Sequence, residues 1–243
     1  MTNDKLESMK RGGFILGKIL QEVKARTSAG MITKNLDDMT RRLCLKYRVK
    51  PSFLGYQDYP AAICVSINDE VVHGIPGNRQ LILGDVVSLD LGVYYNGYHT
   101  DAAITFSLGV APAETERLLN VTKMALAVGI NEAIVGNKIG DIGFAIQNYT
   151  EGNGFNVVRA LVGHSIGKNI HEDPLIPNFG EKDSGQLIKE GMTIAIEPMV
   201  TTGAYDVFQA GDGWTYTTSD GSLSAHFEHT IYVTDTKPII LTK

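Results

Sequence analysis

The chain is expected to be an α+β protein built as two similar halves. Each half would run helix, helix, sheet, with the helices on the outer face of a mostly antiparallel, curved sheet. Three observations predict this. The order of two helical stretches followed by strand-like segments occurs twice along the 243 residues. Short segments of the second half match segments of the first at a steady offset. The strand-like segments follow one another through turns and do not alternate with helices, which points to antiparallel pairing with helices kept to one face.

Taken in order, Leu6, Met9, Gly13, Leu16, Leu20 and Val23 recur in steps of three and four, one apolar helical stripe. Asn3 or Asp4 could cap it. A shorter helix follows, with Leu36, Met39, Leu43 and Tyr47 on one side, and strand-like segments then run from about Phe53 to Phe106. The second round begins with a helix carrying Leu118, Val121, Ala125 and Val128, then one carrying Ile142, Ile146 and Tyr149. Gly30 to Leu36 resembles Gly136 to Ile142 (136 − 30 = 106), and Gly84 to Asp90 resembles Gly191 to Glu197 (191 − 84 = 107). A steady offset is harder to obtain by chance than any single match. No Pro/Gly/Ser-rich linker separates the halves, so the expectation is one domain over 1–243, with halves of about 1–110 and 111–243.

Composition narrows the function classes. The chain is 43% apolar and 20% charged, an ordinary globular balance, and its net charge of −5 gives no global basic field for nucleic acid or an anionic membrane. No apolar run approaches the ~20 residues of a membrane span. Two cysteines, Cys44 and Cys64, suit a reducing compartment and lack zinc-ligand spacing. The start, Met1-Thr-Asn-Asp-Lys, lacks the basic and apolar regions of a signal peptide, so a cytoplasmic location is expected.

The most informative segment is Asp90-Leu-Gly-Val-Tyr-Tyr-Asn96-Gly97-Tyr-His-Thr-Asp101. Asn-Gly between apolar runs predicts a two-residue type I′ turn. Tyr95 then pairs with Tyr98, Gly92 with Asp101 and Asp90 with Ala103, so Asp101 becomes the diagonal neighbour of Asp90 on one face. Two carboxylates that close repel, and they are costly to bury without something positive between them, for which a metal ion is the obvious candidate. A solvent-facing pair on an edge hairpin is the structural alternative; the largely apolar run Asp85 to Leu91 weighs against it. The repeat places Glu197 where Asp90 sits, which makes a cluster of three acids.

Other residues extend the constellation. Glu228 lies in the strand-like Ser224 to Val233, where alternation puts His226, Glu228 and Thr230 on one face; such a charge is either at an exposed edge or bound to something. Gly163 to Pro174 holds His164 and His171 seven residues apart, in a stretch whose glycines and proline argue for a loop or broken strand. His73 precedes a turn signal and is weak taken alone. His99 shares a face with Asp101 and is expected behind the site or in solvent.

These residues, in this order, resemble the short bacterial type of methionine aminopeptidase, a pita-bread metallopeptidase family. The resemblance spans roughly Leu6 to the C-terminus and rests on Ser66 to Pro76, Asp90 to Asp101, Gly163 to His171, Ile196-Glu197-Pro198 and Ser224 to Thr230. It implies the two-halved pita-bread fold and removal of N-terminal methionine ahead of a small second residue. It implies metal binding by Asp90, Asp101, His164, Glu197 and Glu228. Four carboxylates and one imidazole are a hard ligand set that suits two ions of manganese, iron or cobalt, with zinc a further candidate. Two such ions would lower the pKa of a bridging water, whose hydroxide attacks the methionine carbonyl. Glu197 would relay the proton, His171 would sit by the developing oxyanion and His73 by the scissile amide nitrogen.

The resemblance further implies a methionine pocket of Tyr56, Tyr59, Cys64 and Trp214, apolar and polarisable groups that suit a thioether; for each of these, ordinary core is the alternative. Expected partners are peptides and nascent chains that begin with Met, with transient ribosome contact, no nucleic acid bound directly and no membrane, the protein acting as a monomer. Its own Met1-Thr2 would be a permissible substrate. Three residues depart from the family pattern. Ser165 follows His164 where Gly is usual, Ile170 stands where bacterial relatives often carry an aromatic residue, and Phe53 stands where some carry a small or thiol residue. The alternatives are a proline-directed peptidase of the same superfamily, a non-catalytic peptide-binding module that has lost ligands, and a metal-binding regulatory domain.

Overall fold

The structure is a computed structural model and describes residues 3–243. In chain order it forms helices α1 (Asn3–Arg26) and α2 (Thr33–Tyr47) and strands β1 (Lys50–Pro51), β2 (Cys64–Ile67), β3 (Glu70–Val72), β4 (Val86–Tyr95) and β5 (Tyr98–Ser107). Helices α3 (Ala113–Glu132) and α4 (Ile139–Gly152) follow, then β6 (Asn156–Val157), β7 (Gly163–Ser165), β8 (Glu172–Ile176), β9 (Thr193–Ile196) and β10 (Met199–Thr201). The chain continues through β11 (Val207–Gln209), β12 (Tyr216–Thr218), β13 (Ser224–His226), β14 (His229–Tyr232) and β15 (Ile239–Ile240). Helix α1 is described from Asn3 onward. Met1 and Thr2 lie outside the described residues, and so does the expectation attached to them.

Helices form where the apolar stripes fall. Leu16, Leu20 and Val23 of α1 and Leu36, Met39 and Leu43 of α2 are buried in one cluster with residues of β4 and β5, and Met9 packs with Ile166 and Leu241. In the second half Leu126, Ile130, Ile139, Ile142 and Ile146 of α3 and α4 bury with Ile194, Ile196 and Ile231 of β9 and β14. Every strand pairing among the described residues is antiparallel. The strands do not join into one continuous sheet. They sort into a four-stranded sheet of β1, β2, β4 and β5, a five-stranded sheet in the order β15-β14-β9-β7-β8, and two three-stranded sheets. Phe53, expected at the start of the strands, lies in an irregular stretch between β1 and β2.

The repeat is visible in matched hydrogen bonds. The Gly84 and Gly191 turns both have left-handed backbones (φ 95 and 84), which glycine adopts without steric cost. The Gly84 N–H bonds Leu108 O at 2.7 Å, and the Gly191 N–H bonds Val233 O at 2.9 Å. At the starts of α2 and α4, the Ile32 N–H bonds the Asn35 side chain at 3.2 Å and the Lys138 N–H bonds the Asp141 carboxylate at 2.8 Å. The two sets of elements meet where β5 faces the segment from β13 to β14. The Thr230 hydroxyl accepts from the Asp101 N–H and donates to the Asp101 carbonyl, both at 2.8 Å. The Thr105 hydroxyl accepts from the His226 N–H at 2.9 Å and donates to the His226 carbonyl at 2.6 Å. Between them the Glu228 N–H bonds Ala103 O at 3.0 Å. Hydroxyls stand in for part of a backbone ladder here, and this is where the sheet splits.

Candidate metal centre and peptide cavity

The β4–β5 hairpin has the register its sequence predicts: Tyr95 faces Tyr98, Gly92 faces Asp101 and Asp90 faces Ala103. Asn96 and Gly97 at its tip have φ 47 and 90, the positive pair a type I′ turn requires. Asp90 and Asp101 therefore share a face, and that face is buried, with 8% and 3% exposure. The solvent-facing alternative is thereby overturned.

The second half supplies three more groups across the seam. His164 sits on β7, which pairs with β9 through His164 and Ala195. Glu197 follows β9 directly, and Glu228 fills the break between β13 and β14. Ligand atoms of Asp101, His164 and Glu228 lie within 4.8 Å of one another. His164 Nε2 is 3.6 Å from Glu197 Oε1. The His164 Nδ1 faces the Ser165 carbonyl at 3.0 Å. A carbonyl only accepts, so Nδ1 carries the proton and Nε2 presents a lone pair to the acids.

The electrostatics mark this cluster as incomplete without a cation. Burial pushes Asp90 up to about 7 and Glu197 up to about 8. Burial and the neighbouring carboxylates raise Asp101 and Glu228 as well. Among the described residues no Lys or Arg pairs with any of the four. Asp90 Oδ1 and Glu228 Oε1 are buried without a hydrogen-bond partner. Buried polar atoms are rarely left unmatched, and four acids on one neutral imidazole form a set that divalent cations complete. The donor set fits a metal.

These groups form the floor of a cavity of about 250 Å³. Its walls include Phe53, Tyr56, Tyr59, Cys64, His73 and Trp214. Tyr59 packs edge-on to Trp214 at 5.0 Å between ring centroids. The Asp212 carboxylate holds the Trp214 turn by accepting from the Trp214 and Thr215 N–H groups, each at 2.9 Å. Cys64 pairs across the ladder with Asp90, and burial with that neighbouring acid raises its thiol pKa well above the ordinary value, so it lines the wall as a neutral group. His171 stands at the rim, its ring 4.3 Å from that of His164, and its Nδ1 is hydrogen-bonded to the Tyr56 hydroxyl at 2.9 Å. His73 takes a left-handed backbone (φ 61) with its ring 6.3 Å from Trp214, and burial pushes its pKa down to about 4.

All eleven expected residues thus line one cavity. Of the departures, Phe53 lines the cavity and Ser165 and Ile170 fall beside it. The Ser165 hydroxyl turns away to the Pro174 carbonyl at 3.2 Å, so His164 keeps its orientation through a backbone atom that any residue would offer. Ile170 and Phe53 pack together with Tyr59 and Cys64. The His99 Nδ1 is hydrogen-bonded to the Ser52 hydroxyl at 2.9 Å, and His99 is not among the residues that line the cavity. The sequence reading missed His226 as a site group: it is 1% exposed, with Nε2 3.5 Å from Glu197 Oε2. Alternation had placed it on the face of Glu228, which was the available signal. Asn178, which donates to the Glu197 carbonyl at 3.0 Å, carried no signal in its surroundings.

Comparison with known proteins agrees with this geometry. The model of metallopeptidase family M24 matches residues 7–235. A methionine aminopeptidase of Clostridium perfringens is 44% identical over 239 residues, which cover 98% of this chain and 96% of that protein. The crystal structure of a methionine aminopeptidase from Thermotoga maritima superposes with a TM-score of 0.98 at 42% identity, covering 100% of this chain and 98% of the other. A prolidase from Pyrococcus furiosus, at 20% identity and a TM-score of 0.79, shares the fold; the match covers 64% of its chain.

Proposed function

The chain belongs to metallopeptidase family M24, within its methionine aminopeptidases, and from that premise we propose that it removes the N-terminal methionine of peptides and nascent proteins, with a small residue preferred in second place. The observation that carries this reading is the convergence of five ligand-type side chains on the floor of an apolar, aromatic cavity.

Asp90, Asp101, His164, Glu197 and Glu228 would hold two divalent ions, of manganese, iron, cobalt or zinc. Such a pair supplies, when bound, a more acidic water and a polarised carbonyl. The chain's own groups do the rest. The methionine side chain enters between Tyr56, Tyr59, Cys64 and Trp214, where a thioether finds aromatic edges and a neutral thiol. His73, neutral at pH 7, hydrogen-bonds the scissile amide nitrogen. The Tyr56 hydroxyl fixes the His171 ring through Nδ1, which leaves Nε2 to meet the carbonyl oxygen as it gains charge. Glu197 takes the proton of the attacking water and passes it to the leaving amine.

We read the chain as one domain, acting as a monomer in the cytoplasm with transient ribosome contact. A net charge of −5 is consistent with the absence of direct nucleic-acid binding. Among the described residues no helix is long and apolar enough to cross a membrane.

The test is release of free methionine from Met-Ala-Ser by the chelated protein after addition of Mn²⁺, Co²⁺, Fe²⁺ or Zn²⁺, with Met-Leu-Ser and Ala-Pro-Ser alongside. Metal-dependent cleavage of Met-Ala-Ser, well ahead of Met-Leu-Ser, is expected. Cleavage of Ala-Pro-Ser alone would move the chain to the proline-directed class. No cleavage despite bound metal would favour the binding-module reading.

A further inference from the structure

We infer that His226 supplies a second imidazole nitrogen to the metal centre, on the side of Glu197 opposite His164. The inference rests on the metal-centre reading above and goes beyond its five ligands.

Three observations carry it. His226 is 1% exposed, and neither of its ring nitrogens has a hydrogen-bond partner in the protein. An imidazole buried that deeply with both nitrogens unmatched calls for a partner from outside the chain. Its backbone is clamped in both directions by the Thr105 hydroxyl, at 2.9 and 2.6 Å, so the ring is presented from a fixed strand.

The third observation is a symmetry about Glu197. His164 Nε2 stands 3.6 Å from Glu197 Oε1, and His226 Nε2 stands 3.5 Å from Glu197 Oε2. A direct charge-assisted N–H···O bond would be about 2.7–2.9 Å. Two donors bonded to one ion at about 2.1 Å, with a near-tetrahedral angle, stand roughly 3.4 Å apart. The His226–Glu197 spacing therefore copies that of His164 and Glu197, on the other carboxylate oxygen. Asp90 Oδ1 and Glu228 Oε1 are likewise buried and unmatched.

With His164 at one ion and His226 at the other, each of two ions would have one nitrogen ligand. The set becomes softer than four carboxylates and one imidazole, which tilts selection from Mn²⁺ towards Fe²⁺, Co²⁺ and Zn²⁺.

The experiment loads the chelated full chain with two equivalents of Co²⁺ and counts imidazoles by X-ray absorption at the cobalt edge. Two imidazoles per two ions are expected for the wild type and one for His226→Gln. In calorimetric titration with Co²⁺, His226→Gln and His226→Asn are each expected to weaken one of the two binding steps by roughly tenfold or more and to leave the other unchanged. The unfolding midpoint of each metal-free variant, compared with wild type, establishes that it folds. One imidazole per two bound ions in the wild type would overturn the inference and leave the metal centre standing, as would variants that bind both ions like the wild type. Binding of no ion would overturn the metal centre itself.

Discussion

The two halves share a plan and spend it differently. In the first, β4 and β5 are ten residues each and joined by a two-residue turn, so both of its carboxylates ride on one rigid hairpin. In the second, the matching strands β9 and β14 are four residues each. Between Glu197 and Glu228 the chain leaves to build β10 to β13 and the Trp214 turn of the cavity wall. The first half is a frame for two acids; the second trades strand length for a cavity wall. A repeated fold thus acquires a site at the seam, where one copy stays regular and the other is free to elaborate.

The same divergence shows at a matched pair of helix positions. Asp37 of α2 is buried and accepts the Ala62 N–H at 2.6 Å, tying in the loop before β2. Its counterpart in α4, one repeat later, is Gly143, where a Cβ would strike the carbonyl oxygens of Phe179 and Pro177. One copy holds its neighbouring loop with a side chain, the other by letting backbone come close.

The largest expected effect tests whether the halves contribute equally to chemistry. Asp90→Asn and Glu197→Gln occupy matched positions, and each should lower kcat/KM on Met-Ala-Ser by on the order of 10³-fold or more. A much milder loss at one of them would break the equivalence.

Next in size is the response to metal and pH. Glu197 and Asp90 have folded pKa values of about 8 and about 7, above their ordinary values of 4.5 and 3.8. The folded chain therefore binds the extra protons, and metal-free stability falls as pH rises through that window. His164 and His73, at about 3 and about 4 against 6.5, act in the opposite sense and cost stability as pH falls below about 6.5. Thermal melts of the chelated protein should be nearly level between about pH 4.5 and 6.5, where the two acids and the two histidines offset one another, and should fall from there to pH 8. Metal at 100 to 1,000 times its Kd should add about 3–4 kcal/mol, and more at pH 8 than at pH 6. Metal-free melts that rise steadily up to pH 8 would refute this account.

Smaller effects separate the two ways of holding a loop. Gly143→Ala drives a methyl group into backbone and should cost about 1–3 kcal/mol by urea unfolding. Asp37→Ala leaves the Ala62 N–H unmatched and should cost about 1–3 kcal/mol by the same measurement. Smallest is Gly97→Ala at the hairpin tip, where φ is 90: about 1–2 kcal/mol, with activity retained because β4 and β5 keep their register.

How much was legible in the sequence divides along the same line. The hairpin could be read to the residue, because Asn96-Gly97 admits few turn types and alternation of period two then fixes every partner. The helices could be read because their apolar stripes are regular. The splitting of the sheet could not: it depends on Thr105 and Thr230 taking the place of ladder partners across more than a hundred residues of chain, and a threonine in a strand looks like any other. His226 was placed on the right face and given no role, because only the finished packing shows that no protein atom meets its nitrogens.

The threonine seam also orders events in time. A chain made from its N-terminus completes the hairpin bearing Asp90 and Asp101 after little more than a hundred residues. Glu228 and the Thr230 clamp come more than a hundred residues later. Until then the two acids have no opposing wall and no way to gather a full ligand set. Under the function proposed above, synthesis itself would act as a latch: a partly made copy would be a protein without a blade until the seam closes.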